Sequence, residues 1–133
     1  MRAAVALFAL VLATACGDKD LVSPTDAAIA GAWNLQSIGG ATLPYLSYDG
    51  TDGRVELTTE RLVINDNTFT LTAMFRQTVG TAVTMVADSI VGWATVNGST
   101  ATLVSPMDGI SVEAAMVNGK LTIDTGTPFV YIR

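Results

Sequence analysis

The stretch Thr68-Phe69-Thr70-Leu71-Thr72-Ala73-Met74-Phe75 alternates between apolar and mostly polar residues with a period of two. Successive side chains of a β-strand point to opposite faces of the sheet, so this period predicts a strand that buries one face. This stretch decides the fold, because the same pattern recurs through most of the chain. The face predicted to be buried consists of Phe69, Leu71, Ala73 and Phe75.

Further segments repeat this alternation of apolar and polar residues. They are 62–64, 110–116, 121–123 and 129–131. The segment from Val83 to Val96 differs, because it is apolar on both faces and its phase cannot be assigned. A bulge near Asp88-Ser89 is one interpretation of that segment.

Turn residues link these segments as hairpins. Asn97-Gly98 and Asn118-Gly119 are strong hairpin signals, because Asn and Gly both tolerate the positive φ that tight β-turns require. Asp66-Asn67 is a weaker signal of the same kind. The segment 106–109 (PMDG) is typical of a turn with proline at its second position.

Short strands at short spacing, with almost no helical period, predict an all-β fold, either an antiparallel sandwich or a barrel. We expect a small antiparallel up-and-down barrel of about eight strands, because a meander with two exposed edges would pair with other molecules. In this barrel the first strand, 32–38, pairs with the last, 129–133, and removes both edges. A short helical turn over 23–31 precedes the barrel, with Ser23 as its N-cap and Pro24 at its first helical position.

The composition excludes several classes of function. The chain has 133 residues, of which 7 are basic and 12 acidic, and its net charge is −5. Such a chain lacks the clustered positive charge that binding to nucleic acid requires. The absence of histidine removes the commonest general base and metal ligand, so we expect no enzyme, no cofactor and no metal site. The spacing of Asp49 and Asp52 does not fit a calcium loop and is usual for a turn.

The N-terminus combines a basic residue, an apolar run and the only cysteine of the chain. Arg2 precedes the apolar residues 3–13, and Cys16 comes directly after small residues. This order is similar to bacterial lipoprotein signals, which implies that 1–15 is a signal peptide and that Cys16 is lipidated. The alternative is a plain signal peptide in which Cys16 has no role.

The lipoprotein resemblance implies a division of the chain and a location. We expect a signal peptide at 1–15, a lipidated tether with the short helix at 16–28, and a β-barrel domain at 29–133. The protein is then held at the membrane of a bacterial cell envelope through its lipid anchor. Gly17 rather than aspartate follows the lipidated cysteine, which resembles lipoproteins that are sorted to the outer membrane.

A second resemblance concerns the start of the barrel. Gly31-Ala32-Trp33, at the beginning of the first predicted strand, resembles the Gly-x-Trp signature of lipocalins and related calycin barrels. The resemblance covers 29–133 and extends to short bacterial lipoproteins that are lipocalin-like. It implies that Gly31 and Trp33 close the base of the barrel and that a late arginine, here Arg133, stacks across the indole. The alternatives are a simple core aromatic at Trp33 and a frayed terminus at Arg133.

The segment 41–53 is long for a hairpin loop and carries aromatic residues. In lipocalins the first connection folds over the barrel mouth, so the resemblance implies that this loop lies at the entrance of a ligand site. The alternative is a loop whose aromatic residues plug the end of the barrel. The residues expected to contact a ligand are Tyr45, Leu46, Tyr48, Phe69 and Phe75.

The balance of small and large residues decides whether the interior holds a cavity. Small residues that leave room are Ala73, Gly92 and Ala114; large residues that fill it are Phe69, Phe75, Trp93 and Met116. Two functions therefore stay open. One is a lipid-anchored envelope barrel that binds a small hydrophobic or amphipathic ligand. The other is an envelope interaction or stress-related module with a packed core, similar to META-type domains, and the sequence identifies no protein partner for it.

Overall fold

Ten β-strands follow one another in the computed structural model, which describes residues 29–133. Within that range no helix is long and apolar enough to cross a membrane. The predicted signal peptide at 1–15, Cys16, and residues 23–28 of the predicted helical turn lie outside the described residues. The strands are β1 (Gly31–Ile38), β2 (Ala41–Thr42), β3 (Tyr45–Gly50), β4 (Gly53–Ile64), β5 (Thr68–Val79), β6 (Ala82–Asn97), β7 (Thr100–Val104), β8 (Ser111–Val117), β9 (Lys120–Asp124) and β10 (Pro128–Ile132).

The barrel closes because β1 pairs with two strands. Its first half lies beside the end of β4, where Trp33 pairs with Leu62. Its second half lies beside β10, where Leu35 pairs with Tyr131. From β4 to β10 each strand pairs with the next, so eight antiparallel strands form a closed ring. The prediction of an all-β, antiparallel up-and-down barrel is confirmed, as is the pairing of its first and last strands.

The strands differ in length, and the barrel therefore has a high side and a low side. β4, β5 and β6 have 12, 12 and 16 residues, whereas β7 to β10 have 5 to 7. β7 pairs only with the last part of β6, residues 93–97. The part of the sheet that rises beyond the ring comprises residues 45–60 and 74–92, and it is named the tall wall below.

The segment 41–53 is not a loop over the barrel mouth, which corrects the expectation that the resemblance to lipocalins implied. It contains β2 and β3, and β3 pairs with the start of β4. The segment therefore extends the tall wall instead of covering the interior. A bulge between Leu46 and Tyr48 breaks the period of two in β3, and this irregularity hides the strand in the sequence.

Closure removes the edges of the ring but not those of the tall wall. Within the described residues, β3 and the 82–92 part of β6 have a strand neighbour on one side only. The expectation that pairing of the first and last strands removes both edges therefore holds for the ring alone.

Two-residue turns connect several of the strands. Asn118 and Gly119 both have positive φ, of 51° and 75°, as the Asn-Gly signal predicts. At the other predicted turn, Asn97 is still the last residue of β6 and pairs with Thr100. Gly98, with a φ of 62°, takes the first turn position, so this turn begins one residue later than predicted.

The buried core lies on the inward faces of the strands. On β5 this face is the predicted one, because Phe69 and Ala73 are buried and Leu71 and Phe75 pack against the core. Burial of one large apolar side chain stabilises the fold by about 1.5–3 kcal/mol relative to exposure. The largest completely buried side chains are Trp33, Ile29, Leu62, Ile64 and Leu121.

The path of β6 explains why its sequence is apolar on both faces. It pairs with β5 without a register shift from Ala82 to Trp93, so the bulge considered at Asp88-Ser89 is absent. Gly92 is buried, whereas Trp93 is 60% exposed on the outer face. The expectation that Trp93 fills the interior is therefore wrong. Residues 82–89 are exposed on both faces, because they rise above the ring.

Trp33 lies at the end of the barrel where the turns after β4, β6 and β8 gather. It is completely buried, and its Nε1 donates a hydrogen bond of 2.9 Å to the carbonyl oxygen of Ile29. The guanidinium carbon of Arg133 lies 4.4 Å from the centroid of the Trp33 ring, and its Nη2 donates to the Ala30 carbonyl oxygen at 3.0 Å. Gly31 begins β1 with a φ of 123°, so the predicted helical turn does not extend into this strand.

We expect Arg133→Ala to lower the free energy of unfolding by about 0.5–2 kcal/mol, because it removes the cation–π contact and the hydrogen bond to Ala30. Thermal unfolding followed by circular dichroism measures the change, which corresponds to a loss of several degrees in Tm. Arg61→Ala is the matched control, because Arg61 is exposed on the outer face of β4. Equal Tm values for Arg133→Ala and the unchanged protein would contradict a structural role for Arg133.

Candidate ligand-binding cavity

Two adjoining cavities lie along the inner face of the described barrel. The larger has a volume of about 230 Å³ and the smaller about 140 Å³. Leu71 and Ile90 line both, so the two cavities meet at these side chains. The apolar walls of the large cavity also include Leu62, Phe69, Leu103, Val112 and Ile123. The small cavity is lined in addition by Glu60, Ala73, Phe75 and Asp88.

The low side of the barrel leaves the large cavity open. The connection between β7 and β8 lies at its rim and contributes Ser105, Asp108 and Ile110. Ile110 is exposed, and so is Met107 on the same connection. Exposed apolar side chains at the mouth of an apolar cavity suit the entry of an apolar molecule.

The wall that Phe69 forms depends on a glycine. A Cβ atom at position 92 would collide with the Phe69 ring and with the carbonyl oxygen of Val104. Gly92 therefore lets Phe69 lie against β6, and the room expected from this glycine is taken up by the ring. Of the other small residues expected to leave room, Ala73 lines the small cavity and Ala114 lines neither.

A glutamate lies on the apolar inner face of β4. Glu60 is in phase with the buried Leu62 and Ile64, so its side chain points into the barrel. Its Oε1 accepts a hydrogen bond of 2.5 Å from the hydroxyl of Tyr131 on β10. Burial raises the pKa of Glu60, and the hydrogen bond from Tyr131 opposes this rise only in part. Burial also raises the pKa of Tyr131, so its hydroxyl keeps the proton that it donates.

Glu60 forms no ion pair within residues 29–133. The ion pairs of this range join Arg54 and Arg76 to Glu56 on the outer face of β4, where the hydrogen bond from Arg76 lowers the pKa of Glu56. In the same range Oε2 of Glu60 receives no hydrogen bond, and Glu60 lines the small cavity. The carboxylate is therefore accessible to a molecule in that cavity.

Asp88 completes a row of side chains across three strands. Glu60 pairs with Ala73, and Ala73 pairs with Asp88, so the three residues stand side by side on β4, β5 and β6. Neighbouring strands lie about 4.8 Å apart, which places the backbones of the two acidic residues about 10 Å apart. The methyl group of Ala73 leaves the space between the two carboxylates open to the small cavity. Asp88 Oδ1 accepts a hydrogen bond of 2.9 Å from the backbone N–H of Ser89.

The predicted ligand contacts divide between the cavities and the tall wall. Phe69 lines the large cavity and Phe75 lines the small one. Tyr45, Leu46 and Tyr48 line neither cavity. Tyr45 packs against the core, and the other two are exposed, because β3 forms part of the sheet rather than a lid.

Asp49 and Asp52, the pair considered for calcium, lie at the end of β3 and in the turn that follows. The Tyr48 hydroxyl donates a hydrogen bond of 2.5 Å to Oδ1 of Asp52, which raises the pKa of Tyr48 and lowers that of Asp52. In the described part of the chain, no three His, Cys, Asp or Glu residues are placed to hold a metal ion together.

Sequence reasoning did not select Glu60, Asp88 or Tyr131 as site residues. Glu60 had a usable signal, because it continues the inward phase of Leu62 and Ile64 by one step. Asp88 had no such signal, because both faces of β6 are apolar and the sequence does not show which of its residues point inward. The contact of Tyr131 with Glu60 depends on barrel closure, which joins residues 71 positions apart.

Comparison with known proteins finds no family model that matches the chain and no significant match among the curated proteins or the solved structures.

Glu60 makes the stability of the protein depend on pH. Its pKa is raised in the folded state, so folding favours the protonated carboxyl. The contribution of Glu60 to the free energy of unfolding is therefore largest below its ordinary pKa of 4.5, and it is lost as the pH rises through the raised pKa. We expect Glu60→Gln, which keeps an acceptor for Tyr131, to remove this loss and to match or exceed the unchanged protein in stability at neutral pH. Urea unfolding at a series of pH values measures the difference.

The control for this comparison is Glu113→Gln, because Glu113 is exposed on β8. Glu56 has a lowered pKa, so its contribution is lost as the pH falls. That contribution is common to all three proteins and cancels when their curves are compared. A Glu60→Gln curve parallel to that of the unchanged protein would show that Glu60 does not resist ionisation in the folded state.

Proposed function

We propose that the protein is a lipid-anchored β-barrel of the cell envelope that binds a small hydrophobic or amphipathic molecule in its interior. The observation that supports this most is the pair of adjoining cavities, whose apolar walls open at the low side of the barrel. Barrels of about eight strands either fill their interior with side chains or hold one small ligand. Here Phe69 lines the large cavity and Phe75 lines the small one, and neither ring fills the cavity that it lines.

The chemistry of the walls favours a ligand with an apolar body. Leu, Ile, Val and Phe side chains form most of the lining of the large cavity, and burial of apolar surface against them contributes about 25 cal/mol per Å². Pockets for drug-sized ligands have volumes of about 300–1,000 Å³. The large cavity, at about 230 Å³, is smaller than these and suits a short or slender molecule that extends into the small cavity.

A lipocalin-like character of the barrel is part of the proposal. The Gly31-Ala32-Trp33 segment begins β1 at the closed end, and the Arg133 guanidinium lies over the indole. This end is sealed by completely buried side chains, Trp33 and Ile29. A ligand therefore enters from the opposite end, where β7 and β8 are short.

The alternative is an envelope interaction or stress-related module similar to META-type domains. The observation that favours it is the outer face of β6, which exposes Val83, Met85, Val91 and Trp93. An exposed apolar strip of this kind is typical of a surface that contacts another protein. The unfilled interior weighs against the packed core that this alternative requires.

Filling the two cavities is expected to weaken ligand binding. Ile90 lines both, so Ile90→Trp places an indole in the space of the ligand. We expect the affinity for N-phenylnaphthylamine, a neutral apolar fluorophore, to fall by about tenfold or more, because steric exclusion from the cavity removes at least about 1.4 kcal/mol of contact energy. Fluorescence titration of the purified protein measures the affinity.

Val91→Trp is the matched control for this substitution, since Val91 is the next residue of β6 and is 58% exposed on the outer face. It adds the same indole outside the barrel and is expected to leave the affinity unchanged. Circular dichroism establishes that both variants are folded. Equal affinities for the two variants would contradict a ligand site inside the barrel.

The proposed anchor depends on Cys16, the only cysteine of the chain. In a bacterial host we expect labelled palmitate to be incorporated into the protein, and Cys16→Ser to abolish incorporation because acylation requires the sulfur. Addition of Ser23→Cys to the Cys16→Ser protein is the control, because it restores a thiol away from the signal and is expected to restore no label. Labelling that persists in Cys16→Ser would remove the anchor from the proposal.

A further inference from the structure

All the charged residues that line the two cavities are acidic. Glu60 and Asp88 line the small cavity, and Asp108 lies at the rim of the large one. The interior and its entrance therefore carry a negative potential that attracts cations. The basic residues of 29–133 lie on the outer surface or at the closed end, and they are Arg54, Arg61, Arg76, Lys120 and Arg133.

One oxygen of the Glu60 carboxylate accepts a hydrogen bond from the protein, and the other is available to a molecule in the small cavity. Tyr131 donates to Oε1, whereas Oε2 has no donor within the described residues. An ionised carboxylate in apolar surroundings is unfavourable unless a hydrogen-bond donor or a positive charge compensates it. A molecule in the small cavity that supplies a hydrogen-bond donor and a positive charge would stabilise the ionised form of Glu60. The same contacts would hold the molecule in the cavity.

An ammonium group matches this requirement. It carries a positive charge and three N–H donors, and it has no acceptor that would meet the carboxylate unfavourably. Glu60 and Asp88 flank the methyl group of Ala73, so a small cationic group fits the gap between them. From that gap the interior continues past Leu71 and Ile90 into the large cavity, whose lining is mainly apolar.

We propose that the ligand of the barrel is an amphipathic amine, whose ammonium group binds between Glu60 and Asp88 and whose apolar body occupies the large cavity. This inference rests on the proposed ligand-binding function and specifies the head group of the ligand. A neutral amphiphile of the same length gains the apolar contacts alone. An anionic one meets three carboxylates and is repelled.

The test compares three molecules that share one alkyl chain and differ only in the head group: octylamine, octanol and octanoate. Each is titrated into the full-length protein at neutral pH, where octylamine is protonated and octanoate is ionised. We expect octylamine to bind about tenfold or more tightly than octanol, since a hydrogen bond between two charged groups is stronger than one to a neutral hydroxyl. Octanoate is expected to bind more weakly than both. Isothermal titration calorimetry measures the three affinities.

Two substitutions separate the head group from the chain. Glu60→Gln and Asp88→Asn each remove one negative charge from the small cavity, so each is expected to reduce the advantage of octylamine over octanol. The affinity for octanol is expected to stay the same in both. Asp88 is exposed, so Asp88→Asn is compatible with the fold even if Glu60→Gln is not. Glu113→Gln, on the outer face of β8, is the matched control and keeps the full advantage.

The outcomes distinguish this inference from the function on which it rests. Absence of binding by all three molecules overturns the proposed ligand-binding function and this inference together. If octanol binds as tightly as octylamine, or if the advantage of octylamine survives both Glu60→Gln and Asp88→Asn, the head-group inference is overturned and ligand binding stands. The inference is supported if the preference for octylamine over octanol is smaller in these two variants and unchanged in Glu113→Gln.

Discussion

The antiparallel pairing of β1 with both β4 and β10 is the contact on which the rest of the structure depends. It turns a meander into a ring, and only within a ring do the inward faces of all the strands meet. It also brings Tyr131 to Glu60 across 71 positions of the chain. Trp33 is completely buried at one end of the ring, and at the other end β4, β5 and β6 extend beyond the shorter strands opposite and leave the low side open. The interior space and its entrance follow from this difference in strand length.

The barrel was predictable because its strands bury one face and turn at short intervals. On β5 the alternation assigns Phe69 and Ala73 to the interior, and the structure agrees. The prediction was wrong where the structure departs from a regular, half-buried strand. The bulge in β3 removes the period from 41–53, so this strand resembled a loop. The upper half of β6 is exposed on both faces, so burial selects no phase there and the outward position of Trp93 could not be deduced.

The candidate site was only partly accessible to sequence reasoning for a related reason. Phe69 and Phe75 belong to a strand whose orientation the alternation determines, and both line a cavity. The polar row of Glu60, Ala73 and Asp88 arises instead from the register of three strands. A shift of one residue in either pairing would turn one carboxylate to the opposite face of the sheet. No local pattern contains that register, which depends on the whole sheet and its turns.

The space beside Ala73 and the glutamate that lines it both reduce the stability of the barrel. Atoms that line a cavity have fewer packing partners, and the partly buried Glu60 carboxylate, which forms no ion pair within the described residues, is desolvated without full compensation. A core selected for stability alone would carry an apolar residue at position 60 and would fill the space beside Ala73. The proposed amphipathic amine would remove both penalties, because its chain would contact Leu71 and Ile90 and its charge would stabilise the ionised Glu60. Local violations of this kind are expected where a protein binds something, and their coincidence in one cavity favours a ligand-binding barrel over a packed interaction module.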